Sequence, residues 1–457
     1  MFVDHGMKHR AAGPDIKENF KDVVPVLNSR EALVEANRCL FCEDAPCTKA
    51  CPTSIDVPMF IKQIASNNLT GSAKTIMESN PLGASCAVVC PTEELCVGAC
   101  VLNDLTVPIM IGELQRVATD HVRENGIDLF KPGAPNDFKV GIIGAGPAGL
   151  GAARELARLG YHVTIYEAKE KPGGLCTYGI ATFRHPQELI DWEVDQVLKL
   201  GVEIQTNVQV GKDISFDDLV DENDAVLLAI GMGKIQKLGI EGEDLPGVID
   251  ALDMLEQTKT GNPEELRIGR RVAVIGGGNT AIDAATTSKR LGAEVVQMLY
   301  RRTQKEMTAY AFEYDFAKRD AIEFRWLTVV TRILGRGRVE GIECIKMKLG
   351  EPDENGRATP IPIEGSEFYL EVDNVIVGIG QSKFTELLDD FNIKHKKGIV
   401  VIDEEMKTSR DKVYSAGDVV FDCPGAEATV VYSVEQGKQA AYSIDRYLRN
   451  RKGRKIS

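Results

Sequence analysis

Apolar and polar positions follow two patterns along this sequence, one typical of helices and one typical of buried strands. Residues 30–40, 57–67 and 112–125 carry apolar side chains every three or four positions, which predicts helices with one buried face. Residues 140–143 and 272–275 are short apolar runs rich in valine and isoleucine. Each is followed by a glycine turn, a helical pattern and another apolar run. This order predicts βαβ units with parallel sheets.

The two patterns occupy different parts of the chain. The three helical segments lie before residue 130, and the stretch 129–138 carries Pro132, Gly133 and Pro135, which is typical of a linker. The sequence therefore predicts a small helical domain over residues 1–130, followed by an α/β region. A length of 457 residues agrees with about three domains, each large enough to bury its own core.

The first glycine turn has the residues of a dinucleotide-binding loop. Its glycines are Gly144, Gly146 and Gly149, in the order GxGxxG. In this arrangement a pyrophosphate approaches the backbone closely and faces the N-terminus of the following helix. Glu167 follows the next apolar run and is placed to accept hydrogen bonds from a ribose. Strand, glycines, helix, strand and acid in this order predict a dinucleotide site.

The second glycine turn lacks the acid. It carries Gly276, Gly278 and Ala281, the GxGxxA variant, and Leu299 stands where the first site has its glutamate. Arg301 and Arg302 follow directly. Guanidinium groups pair with a 2′-phosphate, which a carboxylate would repel, so the second site favours NADPH over NADH. If both arginines are only surface charges, NADH is equally acceptable.

Three later features give less specific signals. Residues 223–233 and 372–380 look like paired strand ends that enter glycine turns, and we expect them to be the crossings between two nucleotide domains. Gly417 and Asp418 follow another apolar run, and a helix is predicted to start near Ala428. The aspartate is placed to hold a ribityl hydroxyl, and the helix N-terminus to stabilise a reduced flavin ring. An ordinary amphipathic closing helix explains the same pattern.

Charge and hydropathy exclude other classes of function. The chain has 54 Lys and Arg against 68 Asp and Glu, a formal charge of −14, which argues against nucleic acid as a partner. No apolar run approaches the roughly 20 residues needed to span a bilayer, so we expect no membrane segment and a cytoplasmic location. The basic stretch over residues 446–455 is expected to be a solvated end.

Eight of the eleven cysteines lie in two runs of four near the N-terminus. Disulfides would need an oxidising compartment, and no secretory signal is visible. Zinc would favour two CxxC pairs, whereas only Cys39 and Cys42 have that spacing. A CxxC followed by two more cysteines, the last before proline, is typical of iron-sulfur proteins, so eight cysteines indicate two four-iron clusters. Cys176 stands apart and is expected to be a packed thiol. The two runs are Cys39, Cys42, Cys47 and Cys51, and Cys86, Cys90, Cys96 and Cys100.

The cysteine runs and the motifs GAGPAGL, GGLCTYGI, GGGNTAID and SAGD together resemble a flavoprotein family. This family includes the glutamate synthase small subunit and the N-terminal half of dihydropyrimidine dehydrogenase. The resemblance covers essentially the whole chain. It implies an α/β fold in which an N-terminal α-helical domain with two 4Fe-4S clusters precedes two Rossmann-like nucleotide-binding domains. The implied domains are residues 1–130 for the clusters, 137–262 with 371–457 for FAD, and 263–370 for NAD(P)H.

The resemblance also implies which residues hold each cofactor. Gln115 matches the unusual glutamine ligand of dihydropyrimidine dehydrogenase, where the glutamate synthase relatives carry a carboxylate. An exposed helix residue is the alternative for Gln115. One cluster is assigned Cys39, Cys42, Cys47 and Cys100, and the other Cys51, Cys90, Cys96 and Gln115, so that Cys86 is spare. FAD is assigned Gly144, Gly146, Ala148, Gly149, Glu167, Gly174, Leu175, Gly417, Asp418 and Thr429. NADPH or NADH is assigned Gly276, Gly277, Gly278, Asn279, Thr280, Arg301 and Arg302.

The activity implied is an electron relay. The chain resembles the NAD(P)H-oxidising subunit of two-subunit bacterial dihydropyrimidine dehydrogenase, in which hydride passes to FAD and electrons pass through two clusters to an FMN-containing, pyrimidine-reducing subunit. Some members of that family use NADH despite similar arginines. The cofactors carry the chemistry, so no catalytic acid or base is expected in the protein. Two alternatives stay open: a glutamate synthase small subunit or related ferredoxin-linked reductase, and a non-enzymatic scaffold.

Overall fold

The protein is described by a computed structural model that covers residues 16–23, 26–353, 356–421 and 428–455. The chain forms two compact units. The larger comprises Val23–Thr177, Arg184–Met232 and Lys383–Ser457, and the smaller comprises Met1–Asp22, Tyr178–Phe183 and Gly233–Ser382. The predicted α/β class with a helical N-terminal part is confirmed.

Short helices make up the N-terminal part, as predicted. The first, α1 (Ile16–Asn19), belongs to the smaller unit. Those of the larger unit are α2 (Ser29–Ala36), α3 (Pro46–Ala50), α4 (Val57–Ala65), α5 (Leu69–Ser79), α6 (Gly83–Val89) and α7 (Ile111–Glu124), with a 3-10 turn at Val101–Asp104. The side chains of Asn28, Asp56 and Asn68 accept backbone N–H groups at the starts of α2, α4 and α5.

The helices of this part enclose a small apolar core. Phe60, Ile61, Ile76 and Leu114 are each at most 1 % exposed and belong to one cluster. They come from α4, α5 and α7, whose apolar residues recur at helical spacing. The helices predicted at residues 30–40, 57–67 and 112–125 are thereby confirmed, and each ends slightly earlier than predicted.

A parallel sheet forms the rest of the larger unit. Its strands are β1 (Lys139–Ile143), β2 (His162–Tyr166), β3 (Glu203–Gln205), β4 (Ala225–Leu228) and β16 (Val413–Ser415). They are ordered β16-β4-β1-β2-β3 and all pair in parallel. β4 is buried along its whole length, as a strand covered on both faces must be.

Helices flank this sheet. They are α8 (Pro147–Arg158), α9 (Leu175–Tyr178), α10 (Gln187–Leu198), α11 (Phe216–Glu222), α15 (Thr385–Asp390) and α16 (Val430–Lys455), together with a ribbon of β14 (His395–Lys396) and β15 (Ile399–Val400). A Cβ on Gly437 of α16 would lie 2.0 Å from the carbonyl oxygen of Ala148 in α8, so the two helices are too close for any side chain at this position. Within the described ranges, no helix has both the length and the apolar character required to cross a membrane.

The smaller unit contains a second parallel sheet and an antiparallel one. The parallel strands are β5 (Val248–Asp250), β6 (Arg271–Ile275), β7 (Val295–Leu299), β8 (Glu323–Arg325) and β13 (Asn374–Val377), ordered β5-β13-β6-β7-β8. Its longer helices are α12 (Ala251–Thr260), α13 (Asn279–Arg290) and α14 (Ala311–Arg319). The antiparallel strands are β9 (Thr328–Leu334), β10 (Gly341–Pro352), β11 (Ala358–Pro362) and β12 (Phe368–Glu371), and the sequence analysis did not predict them.

These units divide the chain differently from the domain boundaries expected at residues 262 and 371. Both β5 and β13 pair within the second parallel sheet, so residues 233–262 and 371–382 fold with the smaller unit. The two predicted crossings do not pair along their strands, because β4 and β13 lie in different sheets. Pairing occurs just after the strands, where the Gly233 N–H donates to the Ser382 carbonyl at 2.9 Å.

Candidate functional site

The first glycine loop joins β1 to α8 at the carboxyl end of the first sheet. Gly144 has a φ of +103°, and a Cβ there would lie 2.4 Å from the carbonyl oxygen of Ala229. A Cβ on Gly149 would lie 2.0 Å from the carbonyl oxygen of Gly144. Glu167, directly after β2, accepts a hydrogen bond of 2.8 Å from the backbone N–H of Ala145. Loop, helix N-terminus and acid thus meet as a dinucleotide site requires.

Residues distant in sequence border the same loop. A Cβ on Gly174 would lie 2.8 Å from the Cα of Gly146, and a Cβ on Gly417 would lie 2.9 Å from the Cβ of Ala148. Leu175 follows as the first residue of α9. The fold therefore brings three separate sequence motifs to one place, which fits a cofactor as long as FAD.

Two further residues predicted to contact FAD are Asp418, which directly follows Gly417, and Thr429. Burial raises the pKa of the Asp418 carboxyl, and the Ser433 hydroxyl lowers it again by donating to that carboxyl at 3.1 Å. A carboxylate with one such donor keeps acceptor capacity for a ligand hydroxyl. Thr429 lies just before α16, and its Oγ1 accepts the N–H of Tyr432 at 3.3 Å, so it caps that helix. Its contact with FAD stays a prediction.

The second glycine loop joins β6 to α13 in the smaller unit. Gly276 has a φ of +146°, and a Cβ there would lie 2.2 Å from the carbonyl oxygen of Gly378. The carbonyl of Gly277 accepts the N–H groups of Thr308 and Ala309 at 3.1 and 3.0 Å. These bonds hold the loop against residues 308 and 309, which come after β7 and the two arginines in the chain.

An unpaired polar atom lies at this second loop. Gly278 precedes α13, and Asn279 and Thr280 are its first residues. The buried side-chain oxygen of Asn279 has no hydrogen-bond partner among the residues that the structure describes. Leaving a buried acceptor unpaired costs about 1–3 kcal/mol, so the position fits a ligand that donates to it. The loop is therefore suited to a bound nicotinamide dinucleotide.

The two arginines beside this loop differ in their surroundings. Arg301 is exposed, whereas Arg302 is 5 % exposed and its Nε donates to the carbonyl of Ala358 at 2.7 Å. A second contact of Arg302, 3.4 Å long, reaches the carboxylate of Asp353. Arg301 is thus the side chain left open towards a 2′-phosphate. The part predicted for Arg302 in binding the cofactor has no support in this geometry and stays a prediction.

Four cysteines line a cavity in the helical part. The cavity has about 370 Å³ of empty space, some of it open to solvent, and apolar side chains form the remaining wall. Burial raises the pKa of Cys39 and that of Cys47, the latter to about 11, and neighbouring cysteines raise both further. Thiols held in this way need positive charge before they can ionise, which an iron-sulfur cluster supplies. The first cysteine group consists of Cys39, Cys42, Cys47 and Cys100.

The second cysteine group consists of Cys51, Cys90 and Cys96. Burial raises the pKa of Cys96, as does the proximity of Cys51. A hydrogen bond with Cys86 is the main cause that raises the pKa of Cys90, followed by burial and by the cysteines of the group. Cys51 and Cys100 are thus each placed with the other run of the sequence. Within the described residues, no three His, Cys, Asp or Glu side chains converge as they would on a single metal ion.

Gln115 lies on α7 and is 7 % exposed, so the alternative of an exposed helix residue is wrong. Its Nε2 donates to the carbonyl of Gly83 at 2.6 Å. This bond fixes the orientation of the amide, because only the nitrogen can donate, and leaves Oε1 as the acceptor atom. An amide oxygen held in this way is suited to act as a metal ligand.

The sequence analysis missed a buried polar cluster of Ser85, His185 and Glu193, all fully buried. Glu193 accepts hydrogen bonds from Ser85, and His185 Nε2 lies 2.8 Å from the Ser85 hydroxyl. The available signal was the position of Glu193 in α10, where it shares a face with buried Leu189, Ile190 and Val197. A carboxylate on the apolar face of a helix is a candidate for a specific role.

Comparison with known proteins places the chain in a family. Residues 138–441 match the family described as pyridine nucleotide-disulphide oxidoreductase. Residues 16–127 match the family described as dihydropyrimidine dehydrogenase domain II, 4Fe-4S cluster. The chain therefore belongs to the pyridine nucleotide-disulphide oxidoreductases and carries a 4Fe-4S domain. It is an NAD(P)H-dependent oxidoreductase with FAD and 4Fe-4S clusters as cofactors.

Two relatives extend over nearly the whole chain. The NAD-dependent dihydropyrimidine dehydrogenase subunit PreT of Escherichia coli (strain K12) is 35 % identical over 445 residues, which are 94 % of this chain and 98 % of the relative. The glutamate synthase [NADPH] small chain of Halomonas elongata is 34 % identical over 98 % of both chains. Among solved structures, Mycobacterium tuberculosis FprA in complex with NADPH has a TM-score of 0.57 at 20 % identity, over 70 % of this chain and 86 % of that one, which supports the fold.

Glu167→Ala should weaken the retention of FAD. Removing a charged hydrogen-bond acceptor for the ribose is expected to raise the dissociation constant of FAD about tenfold or more. Flavin fluorescence released on dialysis of the anaerobically purified protein measures this. Glu170→Ala, an exposed glutamate three residues further on, is the matched control. Equal retention by both variants would exclude Glu167 from the ribose site.

Arg301→Ala should lower kcat/KM for NADPH more than for NADH. The ratio of the two values is expected to fall about tenfold, because a charge-assisted hydrogen bond to the 2′-phosphate is lost. Steady-state reduction of an artificial acceptor by each cofactor gives both values. Arg332→Ala, which changes an exposed arginine of β9, should leave the ratio unchanged. An unchanged ratio in Arg301→Ala would show that this arginine does not read the 2′-phosphate.

Proposed function

We propose that this chain is the NAD(P)H-oxidising subunit of a two-subunit dihydropyrimidine dehydrogenase, whose FMN-containing partner reduces uracil or thymine. The observation that carries the proposal is that both cysteine groups and the first dinucleotide loop lie in one compact unit. Trp192, on α10 beside the first sheet, packs against the apolar core of the cysteine-bearing helices. Flavin and clusters would therefore be held at fixed positions relative to each other. The relative named as a dihydropyrimidine dehydrogenase subunit, which is similar over 94 % of this chain, supports the substrate class.

The residues of this chain supply binding and electrostatics. When bound, FAD would supply hydride acceptance from NAD(P)H and release of single electrons, and the 4Fe-4S clusters would supply one-electron transfer. Gly144 and Gly146 leave room for a pyrophosphate against the backbone, and Glu167 and Asp418 provide acceptors for hydroxyl groups. None of these residues has to donate or accept a proton in the relay.

The ligand sets are those that the family resemblance implies. Cys39, Cys42, Cys47 and Cys100 would hold one cluster, and Cys51, Cys90 and Cys96 with Gln115 the other. The cavity shared by the first set and the fixed amide of Gln115 support this assignment. The cysteines that the structure describes form no disulfide with one another, which fits a reducing compartment and a cytoplasmic location.

The choice between NADH and NADPH depends on one side chain. Arg301 is the exposed guanidinium beside the second loop, and a single arginine is compatible with either cofactor. The names of the two relatives reported above specify different cofactors, NAD for one and NADPH for the other. We therefore propose that both are accepted, with a modest preference set by Arg301.

The surface around the first cysteine group fits an electron-accepting partner. Leu40 and Val101 line the cavity and are 58 % and 36 % exposed. Leu105 and Val107, which follow in the chain, are 72 % and 67 % exposed. Several exposed apolar side chains next to a redox site mark a surface that a partner covers. We place the contact with the FMN-containing subunit there.

The proposal is tested by purifying the protein anaerobically together with the product of its neighbouring gene. NAD(P)H oxidation is expected to depend on uracil and to require both proteins. Oxidation that instead depends on glutamine and 2-oxoglutarate, with a large glutaminase-containing partner, would establish the glutamate synthase alternative. A flavin that NAD(P)H does not bleach under anaerobic conditions would establish the scaffold alternative.

Gln115→Ala should change the electron paramagnetic resonance signal of one cluster and leave the other unchanged. Reduction of FAD by NAD(P)H is expected to keep its rate, because Gln115 belongs to the cysteine-bearing helices and not to either dinucleotide loop. Glu124→Gln, at the exposed end of the same helix, is the control. If both cluster signals match those of the unmodified protein, Gln115 is not a ligand.

A further inference from the structure

The turn from Asn80 to Leu82 joins α5 to α6 and leaves polar backbone groups at two helix ends. The last carbonyls of α5 and the first N–H groups of α6 have no partners within their own helices. The residue before α6 is Leu82, whose apolar side chain cannot cap the helix. All three turn residues are buried, so water does not replace the missing partners.

Two cationic side chains, from helices that flank the first sheet, donate hydrogen bonds to the end of α5. Arg154, in α8, donates to the carbonyl oxygens of Met77 at 2.7 Å and Glu78 at 3.0 Å. Lys438, in α16, donates to the carbonyl oxygen of Ser79 at 2.6 Å. Arg154 is 3 % exposed and Lys438 8 %. Positive charge at the C-terminus of a helix complements the helix dipole.

The charges of these two cations are balanced locally. Arg154 pairs with the neighbouring Glu155 at 3.1 Å and lies over the ring of Phe130 at 5.2 Å. Lys438 pairs with Glu435 at 2.8 Å. The Arg154–Glu155 pair is almost fully buried, whereas Glu435 is partly exposed beside the buried Lys438. Both pairs restrict the orientation of the cations towards the α5 carbonyls.

The carboxyl group of Glu193 bonds the start of α6, and burial raises its pKa to about 8. Glu193, in α10, accepts the N–H groups of Ala84 at 2.7 Å and Ser85 at 3.1 Å, and also the Ser85 hydroxyl. The carboxyl group thus caps α6 from a helix more than a hundred residues away in sequence. His185 completes the network by contacting the Ser85 hydroxyl.

Helix α6 connects this cap to the second cysteine group. Its first residue, Gly83, supplies the carbonyl that orients the amide of Gln115, and Cys90 follows its last residue. A Cβ on Gly112 of α7 would lie 3.0 Å from the carbonyl oxygen of Ala87, so α6 and α7 are in close backbone contact there. A shift of α6 would therefore displace two of the proposed ligands together.

We propose that Glu193, Arg154 and Lys438 are positioning residues for the second cluster, acting through the ends of α5 and α6. The inference rests on the ligand set proposed above for that cluster. The hydrogen bonds of these three side chains hold the turn at residues 80–82 against the FAD-binding sheet. In this way they fix Cys90 and the Gln115 amide relative to the first dinucleotide loop, from which α8 starts.

Glu193→Leu in the full-length holoprotein is the main test. It leaves the N–H groups of Ala84 and Ser85 without their acceptor, and Glu193→Gln restores one. We expect Glu193→Leu to alter the electron paramagnetic resonance signal of the second cluster only. Stopped-flow absorbance should show flavin reduction at its original rate and cluster reduction slowed about tenfold or more, the usual effect of removing a group that orients a metal ligand. Glu193→Gln should recover most of both properties.

Lys438→Met tests the opposite end of the turn and covers the case in which Glu193→Leu does not fold. It should change the same cluster signal. Glu78→Gln is the matched control, since it breaks the partly exposed ion pair of Glu78 with Arg158 beside the same turn. The control should leave both signals unchanged.

The outcomes separate this inference from the ligand assignment. Unchanged signals in Glu193→Leu and Lys438→Met, or equal changes in both clusters, would overturn the positioning role even if Gln115→Ala alters the second cluster. Unchanged signals in Gln115→Ala would overturn the ligand assignment itself. Iron content and flavin content of each variant show whether the cofactors are still bound.

Discussion

The larger unit depends on hydrogen bonds around the turn at residues 80–82. There, side chains from helices that flank the first sheet donate to the end of α5 and accept from the start of α6. This turn is buried, so its backbone groups must find partners in the protein. Arg154 and Lys438 serve the carbonyls, and Glu193 serves the N–H groups. At the end of α5 the two cations also complement the helix dipole. The cysteine-bearing helices and the first sheet therefore fold as one body, which an electron relay between flavin and clusters requires.

The two glycine loops lie in separate units and have the same steric requirement for glycine. At Gly144 and at Gly276 the chain leaves a strand with a positive φ, and a side chain would collide with a carbonyl of another strand's end. Their partners differ. The first loop bonds to Glu167, whereas the second has the exposed Arg301 nearby and the side-chain oxygen of Asn279, to which no described residue donates a hydrogen bond. Similar backbone geometry thus accommodates two different dinucleotides, and the polar residues around each loop distinguish them.

The cysteine groups show why cofactor and fold depend on each other in this part of the chain. Burial and neighbouring cysteines raise the pKa of Cys39, Cys47 and Cys96, so these thiols resist ionisation by themselves. A cluster reverses that balance, because its iron stabilises the thiolates. The surrounding apolar core is small and draws on short helices. Cluster binding is therefore expected to contribute to folding as well as to electron transfer.

The sequence by itself determined the features that depend on neighbouring residues. Periodicity located the helices and the strands around both loops, and the glycines identified the positions where no side chain fits. The resemblance to a family supplied the predicted cluster ligands, including Gln115. Only the tertiary structure decided which of two adjacent arginines is available, because Arg302 is bonded to Ala358, 56 residues away. It also assigned β5 and β13 to the second sheet and revealed Glu193 as the cap of α6. Burial and hydrogen bonding of a single side chain depend on segments distant in the chain, and no local pattern records them.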